Sequence, residues 1–257
     1  MLSISLGSAR AAELVAPYVD TVREDVELIL NLADVGPQDY LVDLGSGDGR
    51  FVIEAAKRGA MALGVELDES LIEISKANAR AAGVTGQASF VQDDLFDVNF
   101  SMASVVTLYL MPEINLRLRP ILLEELKPGT RVVSNSFDMG DWTPDARAQG
   151  RTSGDALLWY IPADVRGDWS IKVSQQSHAV KFSQKYQDVL AQSASTLAIT
   201  DIELRGATIR FEGNVNGKRH RFHGEVSGDC LAGAAHPVYG IGPVRYWRGE
   251  RLLSIQD

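Results

Sequence analysis

Hydrophobic positions follow two different rhythms along this chain, and the change comes near residue 162. Up to that point, short apolar runs alternate with stretches in which apolar residues return every three or four positions. The runs at 40–44, 61–67, 89–92, 104–110, 131–134 and 157–161 read as buried strands. Val22, Val26, Ile29, Leu30 and Ala33 share one helical face. Ahead of them, Thr21-Val22-Arg23-Glu24 has the form of a capping box, with the Thr21 hydroxyl as the predicted cap and Gly36-Pro37 as the stop. Further helices are predicted over 51–58, over 114–126, and from a Ser70 cap through Leu71, Ile72, Ile74 and Ala77 to about Gly83. Strands and helices alternating at this spacing make βαβ units. The expected fold is therefore α/β, a doubly wound, mostly parallel Rossmann-like sheet with helices on both faces.

Beyond 162 the period shortens to two. Segments at 171–173, 179–182, 202–204, 208–211, 219–226 and 244–247 alternate, and none has helical spacing. Asn216-Gly217, between two such runs, is a two-residue hairpin signal, because both central residues of that turn need positive φ. A small antiparallel β domain is expected over 168–257, joined through 163–167 to an α/β domain over 17–162. Trp169, Phe182, Tyr186, Phe211, Phe222 and Trp247 are expected to form its core. It holds no catalytic constellation, so substrate recruitment or oligomerisation are the roles open to it. Residues 1–16 read as a flexible N-terminus, which goes with a cytoplasmic location. Ala9-Arg10-Ala11 also has the small-x-small form of a leader-cleavage site, and a leader remnant would instead imply export.

Charge is divided unevenly. The net formal charge of the 257 residues is −9. Residues 1–162 hold 13 basic and 24 acidic side chains, a balance of −11, and 163–257 hold 12 and 10, a balance of +2. An acidic front half repels phosphate backbones, so no nucleic-acid partner is expected, whereas a lysine-bearing protein would be tolerated. No apolar run approaches the ~20 residues of a membrane span. Cys230 is the only cysteine, which rules out an intrachain disulfide and a thiolate metal site. His220 and His223 sit at an odd spacing in a predicted strand, so their rings face opposite ways, and no metal is expected.

The chemistry concentrates after the first strand. That strand runs into Gly45-Ser46-Gly47-Asp48-Gly49-Arg50 and then a helix. Glycines allow the chain to turn sharply and approach a ligand, and the following helix offers free amides at its positive end. Seventeen residues past Gly49 the next strand ends in Glu66, placed to accept hydrogen bonds from ribose hydroxyls. A dinucleotide site normally spaces its glycines G-x-G-x-x-G to seat a pyrophosphate. Here the spacing is G-x-G-x-G, and Asp43 stands two residues ahead of it. A carboxylate there repels a pyrophosphate but attracts an ammonium, which selects S-adenosylmethionine over NAD.

The run 43–50 resembles the first motif of the class I, seven-β-strand methyltransferases. Together with 17–21, 64–66, 105–120 and 137–142, it resembles the prokaryotic protein-lysine methyltransferase-like group related to the ATP synthase c-subunit lysine methyltransferase. The resemblance spans about 17–162. It implies that Asp43, Gly45, Ser46, Gly47 and Gly49 line the methionine part of the cofactor, and that Glu66 holds the ribose. Leu67 would then pack on adenine, with Asp94 and Leu95 at the adenine amino group. Tyr18 and Thr21 resemble an N-terminal Tyr-x-x-Thr that closes over the methionine end. Asp20 and Val22 stand where the group commonly has prolines.

The fourth strand ends in Tyr109-Leu110-Met111-Pro112, without the Asn/Asp-Pro-Pro-Tyr/Phe of amide and adenine methylation. No cysteine adjoins the loop for covalent attack on a base. Direct in-line transfer to an amine remains, with a protein lysine as the expected acceptor and Tyr109, with Tyr18, as the expected catalytic residues. Two alternatives stay open from the residues alone: a methyltransferase for a small amine or other metabolite, and a non-catalytic cofactor-binding protein whose β domain binds a partner.

Overall fold

A computed structural model describes residues 21–152, 154–193, 196–240 and 242–252. Tyr18 and the stretch 1–16 lie outside the described residues.

The first half forms a seven-stranded sheet. Its strands are β1 Tyr40–Leu44, β2 Met61–Glu66, β3 Ala88–Gln92, β4 Val105–Leu108, β5 Arg131–Asn135, β6 Ala146–Ala148 and β7 Ala156–Tyr160, in the order β3-β2-β1-β4-β5-β7-β6. β1 to β5 are parallel, and β7 pairs antiparallel with both β5 and β6. The strand order reverses between β1 and β4, and in such sheets the crevice at the C-terminal edge of that point is where ligands bind.

Both faces are covered. Helices α1 Arg23–Leu32, α2 Arg50–Lys57 and α3 Glu69–Ala82 pack with Leu41 of β1, Val105 of β4 and Val133 of β5. On the other face α4, Pro112–Glu125, lays Ile114, Leu118 and Leu122 against Val42, Leu44, Val106 and Leu108. Burial on both sides explains why these strands read as continuous apolar runs.

Several local expectations need correcting. Thr21 does not cap α1: the N-cap is Val22, with no side-chain capping bond. The Thr21 hydroxyl accepts instead from Asn135 Nδ2 at 3.4 Å, and its carbonyl accepts from Arg50. α1 also stops short of Gly36-Pro37, at a C-cap on Ala33 followed by Asp34 at φ 50°. α3 is capped by Asp68, whose carboxylate accepts from Ser70 N at 2.8 Å, so Ser70 stands inside the helix. The buried face of α3 is Ile72, Ser75 and Ala79, while Ile74 and Ala77 are exposed. Strand β6 was not predicted; three residues with partly exposed side chains carry no apolar pattern.

The second half is an eight-stranded antiparallel sheet. It comprises β8 Gly167–Val173, β9 Gln176–Lys185, β10 Asp188–Ser193, β11 Thr200–Arg205, β12 Thr208–Val215, β13 Lys218–Ser227, β14 Cys230–Pro237 and β15 Arg245–Arg251. The order is β10-β9-β8-β15-β14-β13-β12-β11, and its end strands β10 and β11 approach each other, so the sheet curls into a near-barrel. Strict alternation sorts the side chains: on β13, His220, Phe222, Gly224 and Val226 point inward and His223 points out. The Asn216-Gly217 hairpin forms as expected, both residues at positive φ and Val215 facing Lys218. β10 and β14 were missed, because exposed small and polar residues dilute their pattern. Five of the six aromatics expected in the core are there; Tyr186 instead packs on the α4-side core of the first sheet. The segment 163–167 is packed rather than free, with Ala163 and Val165 buried in the barrel core.

Candidate functional site

The site is built at the C-terminal tips of β1, β2, β4 and β5. β1 ends at Leu44, and the amides of Gly45 and Ser46 both donate to the Val65 carbonyl at 2.9 Å, which folds the loop back over β2. Gly45, Gly47 and Gly49 all have positive φ, at 82°, 54° and 84°. A Cβ on Gly49 would stand 2.7 Å from the Phe90 ring and 2.8 Å from Ser75 Cβ, so glycine is required there by packing as well as by conformation. A Cβ on Gly45 would meet Leu110 Cδ2 at 2.9 Å, which shows how closely the tip of β4 approaches the loop.

Glu66 braces this turn. One carboxylate oxygen accepts from Gly47 N at 2.9 Å, and the other accepts from Leu67 N at 2.8 Å and Asp68 N at 3.1 Å. Asp48 is paired with Arg50 through two 2.8 Å contacts, and Arg50 also donates to the Thr21 carbonyl. The Gly loop, the tip of β2 and the start of α1 are thus one hydrogen-bonded unit.

Asp43 lies under the loop and is almost fully buried. β1 and β4 pair with Asp43 opposite Thr107, and the Thr107 hydroxyl donates to Asp43 Oδ1 at 2.6 Å. Asp43 Oδ2 has no hydrogen-bond partner among the described residues. Burial pushes its pKa up to about 7, against the lowering bond from Thr107 and with smaller raising contributions from the charges of Glu66 and Asp48. A buried carboxylate with one free oxygen, close to two others, suits a cationic ligand and opposes a pyrophosphate. The residues present therefore fit the zwitterionic tail of S-adenosylmethionine.

The remaining expected residues lie just past the C-terminal ends of β1 to β4. Leu67 is exposed just past β2. Asp94 follows β3, its carboxylate fixed by Phe96 N at 2.9 Å, and Leu95 is partly buried against the α4-side core. The Ser46 hydroxyl is buried against β2, 2.6 Å from where a Cβ on Gly64 would stand, and has no hydrogen-bond partner among the described residues. Tyr109 follows β4 and stacks on Phe137, which follows β5, with centroids 6.3 Å apart and planes inclined at 24°.

Thr107 and Phe137 lie in segments that carry the family resemblance, but the sequence assigns neither a role at the site. Thr107 is 64 residues from Asp43, and only strand register brings them together. Phe137 sits in a polar loop held by Asn115 of α4, whose Nδ2 donates at 3.3 Å to the carbonyls of both Phe137 and Asp138.

Comparison with known proteins identifies the assembly. The sequence model of the ANTKMT methyltransferase domain matches residues 43–146. A protein-lysine N-methyltransferase of Saccharolobus islandicus is 45% identical over 130 residues, covering 50% of this chain and 81% of that one. The human ATP synthase c-subunit lysine N-methyltransferase is 39% identical over 129 residues, and the chain spans 55% of its length. A crystal structure of a Salinibacter ruber protein described as an RNA methyltransferase, in complex with S-adenosyl-L-homocysteine, is 47% identical. It superposes with a TM-score of 0.55 over 57% of this chain and 96% of that one. The match ends at residue 146 for the family model, before the barrel begins at Gly167. The strand order, the loop with its buried aspartate and these likenesses agree: the chain belongs to the class I, S-adenosylmethionine-dependent methyltransferases, in the ANTKMT-type protein-lysine methyltransferase family.

Proposed function

We propose that this protein transfers a methyl group to a lysine ε-amine of a protein. The observation that carries the reading is the aromatic pair Tyr109–Phe137, set at the tips of β4 and β5 beside the Gly loop. Two rings stacked on each other can wall a slot along which the apolar stem of a lysine lies, with its amine removed from water. Desolvation lowers the amine pKa from its usual value near 10.4, which favours the neutral nucleophile. The names carried by the archaeal and human relatives support the same acceptor class.

In this reading Asp43 and the backbone of Gly45, Ser46, Gly47 and Gly49 hold the methionine end of the cofactor. Glu66 accepts from the ribose, Leu67 packs on adenine, and Asp94 and Leu95 border the adenine amino group. Thr21, buried at the start of α1 and tied to Asn135, closes the near side, with Tyr18 ahead of it in sequence. Tyr109 orients the incoming amine. When bound, the cofactor supplies a methyl group on a sulfonium, an excellent leaving group. The chain's task is thus to align and desolvate the acceptor; no residue need attack.

A second reading, methylation of RNA, is favoured by the description of the Salinibacter protein. One experiment separates the two. The purified protein is incubated with cell lysate and methyl-labelled S-adenosylmethionine, and the product is digested with protease or ribonuclease. Protease-sensitive label recovered as methyl-lysine supports the proposal. Ribonuclease-sensitive label replaces it with the second reading, and label found only in metabolites overturns both.

A further inference from the structure

One turn of the barrel meets the loop that follows β5. β9 and β10 are joined by Tyr186-Gln187, with Lys185 paired to Asp188 across a two-residue hairpin. Such turns favour Asn and Gly at positive φ, yet Tyr186 adopts φ 54°. A tyrosine persists in that conformation only where its surroundings hold it there. The Tyr186 backbone carbonyl accepts from Gln184 Nε2 of β9 at 2.7 Å, while its ring and hydroxyl reach across to the first sheet's side. The ring stacks on Trp142 at 5.5 Å and 24°. The hydroxyl donates to Asp141 at 2.9 Å, and the neighbouring Lys185 Nζ lies 2.8 Å from the same carboxylate. Gln187 accepts from the Trp142 indole N–H at 2.8 Å and donates to the Thr143 carbonyl at 2.8 Å.

These contacts grip the loop 136–143, which leaves β5. Its opposite side is held by α4: Asn115 donates to the carbonyls of Phe137 and Asp138, and Arg119 Nη1 donates to Met139 O and to Asp141, both at 2.6 Å. Gly140, at φ 69°, packs so tightly that a Cβ would meet Leu116 at 2.8 Å. Trp142 is fully buried, and its carbonyl accepts from the Trp159 indole at 2.8 Å. The loop is therefore clamped between helix and barrel, and at its β5 end, held by Asn115, it carries Phe137, the ring that stacks on Tyr109. An interface centred on Trp, Tyr and Arg is the composition in which a few contacts carry most of the coupling.

We propose that Tyr186 and Gln187 are positioning residues for the methyl acceptor: the barrel sets the aromatic wall of the cleft by fixing the loop that carries Phe137. The proposal rests on the reading of Tyr109–Phe137 as the acceptor slot. It gives the barrel, which lies beyond the family match, a part in the reaction of the first domain.

The test uses the full chain carrying Tyr186→Ala, Gln187→Ala, Tyr186→Phe or, as a control on the outer barrel face, Tyr246→Ala. Three quantities are measured: affinity for S-adenosylhomocysteine, hydrogen exchange of amides 136–143, and transfer of labelled methyl to lysate macromolecules at increasing lysate concentration. Tyr186→Ala should keep cofactor affinity within about twofold, and lower transfer by about tenfold at low acceptor concentration, an effect of roughly one hot-spot contact. The apparent KM for acceptor should rise more than kcat falls, and exchange at 136–143 should quicken. Tyr186→Phe keeps the stack and should recover most of the transfer; Tyr246→Ala should match wild type. Gln187→Ala gives the same readings should Tyr186→Ala fail to fold. Unchanged exchange and unchanged transfer in folded Tyr186→Ala or Gln187→Ala overturns the proposal, as does a parallel loss of cofactor affinity, which would mark a general structural role. If wild type labels no protein, the lysine reading falls separately. The positioning role is then judged on whichever fraction takes label, or on the exchange alone.

Discussion

The two sheets of this protein use the same element for opposite purposes. In the seven-stranded sheet the strands are short and mostly parallel, and the central ones are buried on both faces, so their side chains make core and their C-terminal tips make chemistry. In the barrel the strands are longer and antiparallel, and each divides its side chains between an apolar interior and a charged exterior. A parallel strand ends in a crossover loop, and every loop at one edge converges on the crevice where strand order reverses. An antiparallel strand ends in a hairpin, whose two or three residues mostly face solvent. Two barrel hairpins depart from this: the β11–β12 turn, where Gly206 packs on Gly129 and Arg205 lies over Tyr160, and the β9–β10 turn, which meets the loop after β5. Chemistry thus follows topology: the barrel has more strands, yet the contribution to the cleft proposed for it passes through the Tyr186-Gln187 turn.

The widest test of this division removes a core ring from the barrel. Phe222 is fully buried, stacked on Phe211 at 4.5 Å and edge-on to Trp247 at 5.7 Å. Phe222→Ala should destabilise the barrel by about 3–5 kcal/mol. Denaturation followed with S-adenosylhomocysteine present should show the barrel unfolding earlier while cofactor binding persists. Simultaneous loss of both would show that the sheets unfold as one unit.

Next in size is Glu66→Ala, expected to weaken S-adenosylhomocysteine binding by about 1.5–3 kcal/mol, the usual range for charge-assisted hydrogen bonds. Glu66 also braces the amides of Gly47, Leu67 and Asp68, so Glu66→Gln, which retains one acceptor oxygen, should lie between the two. Calorimetry at fixed pH measures both; equal affinity for wild type and Glu66→Ala would place the ribose elsewhere.

A smaller effect follows from Asp43. Its pKa is raised to about 7, chiefly by burial, so near neutrality the carboxyl is partly protonated. A ligand ammonium binds the ionised form. Affinity for S-adenosylhomocysteine should therefore rise with pH towards about 7, by up to about tenfold per unit, and level off above it. The unliganded protein should show the opposite trend. A carboxyl whose folded pKa is raised contributes most stability below its unfolded value, and that contribution is lost as pH rises towards 7. Asp43→Asn should flatten both profiles, which pH-resolved calorimetry and thermal melts can record.

The smallest expected effect sharpens the contrast within the barrel itself. Tyr246 is 81% exposed on β15, one position from the buried Trp247. Tyr246→Ala should change stability by no more than about 0.5 kcal/mol, in the range of surface substitutions, as read from a urea midpoint. A cost comparable to Phe222→Ala would show that the outer face is covered by something other than water.

The α/β class, the bounds of β1 and nearly those of β2 and β3, the Gly loop with its flanking acids, and the Asn216-Gly217 hairpin are legible in the order of residues alone, whereas other features mislead. The legible ones depend on local chemistry: apolar runs between turn residues, glycines at positive φ, and an aspartate beside a helix start. The sequence misplaced the caps of α1 and α3, because a capping pattern states only which side chains could reach an amide. In the fold Thr21 turns to Asn135 and Asp68 reaches Ser70 first. It also passed over β6, β10 and β14, whose small or exposed polar residues hide the alternation. Tertiary structure alone decided three things: that Thr107 holds Asp43, that Phe137 meets Tyr109, and that Tyr186 leaves the barrel to stack on Trp142. Each joins positions between 28 and 64 residues apart. Such pairs are fixed by strand register and by how elements pack, and neither is written in the local pattern of hydrophobic and polar residues.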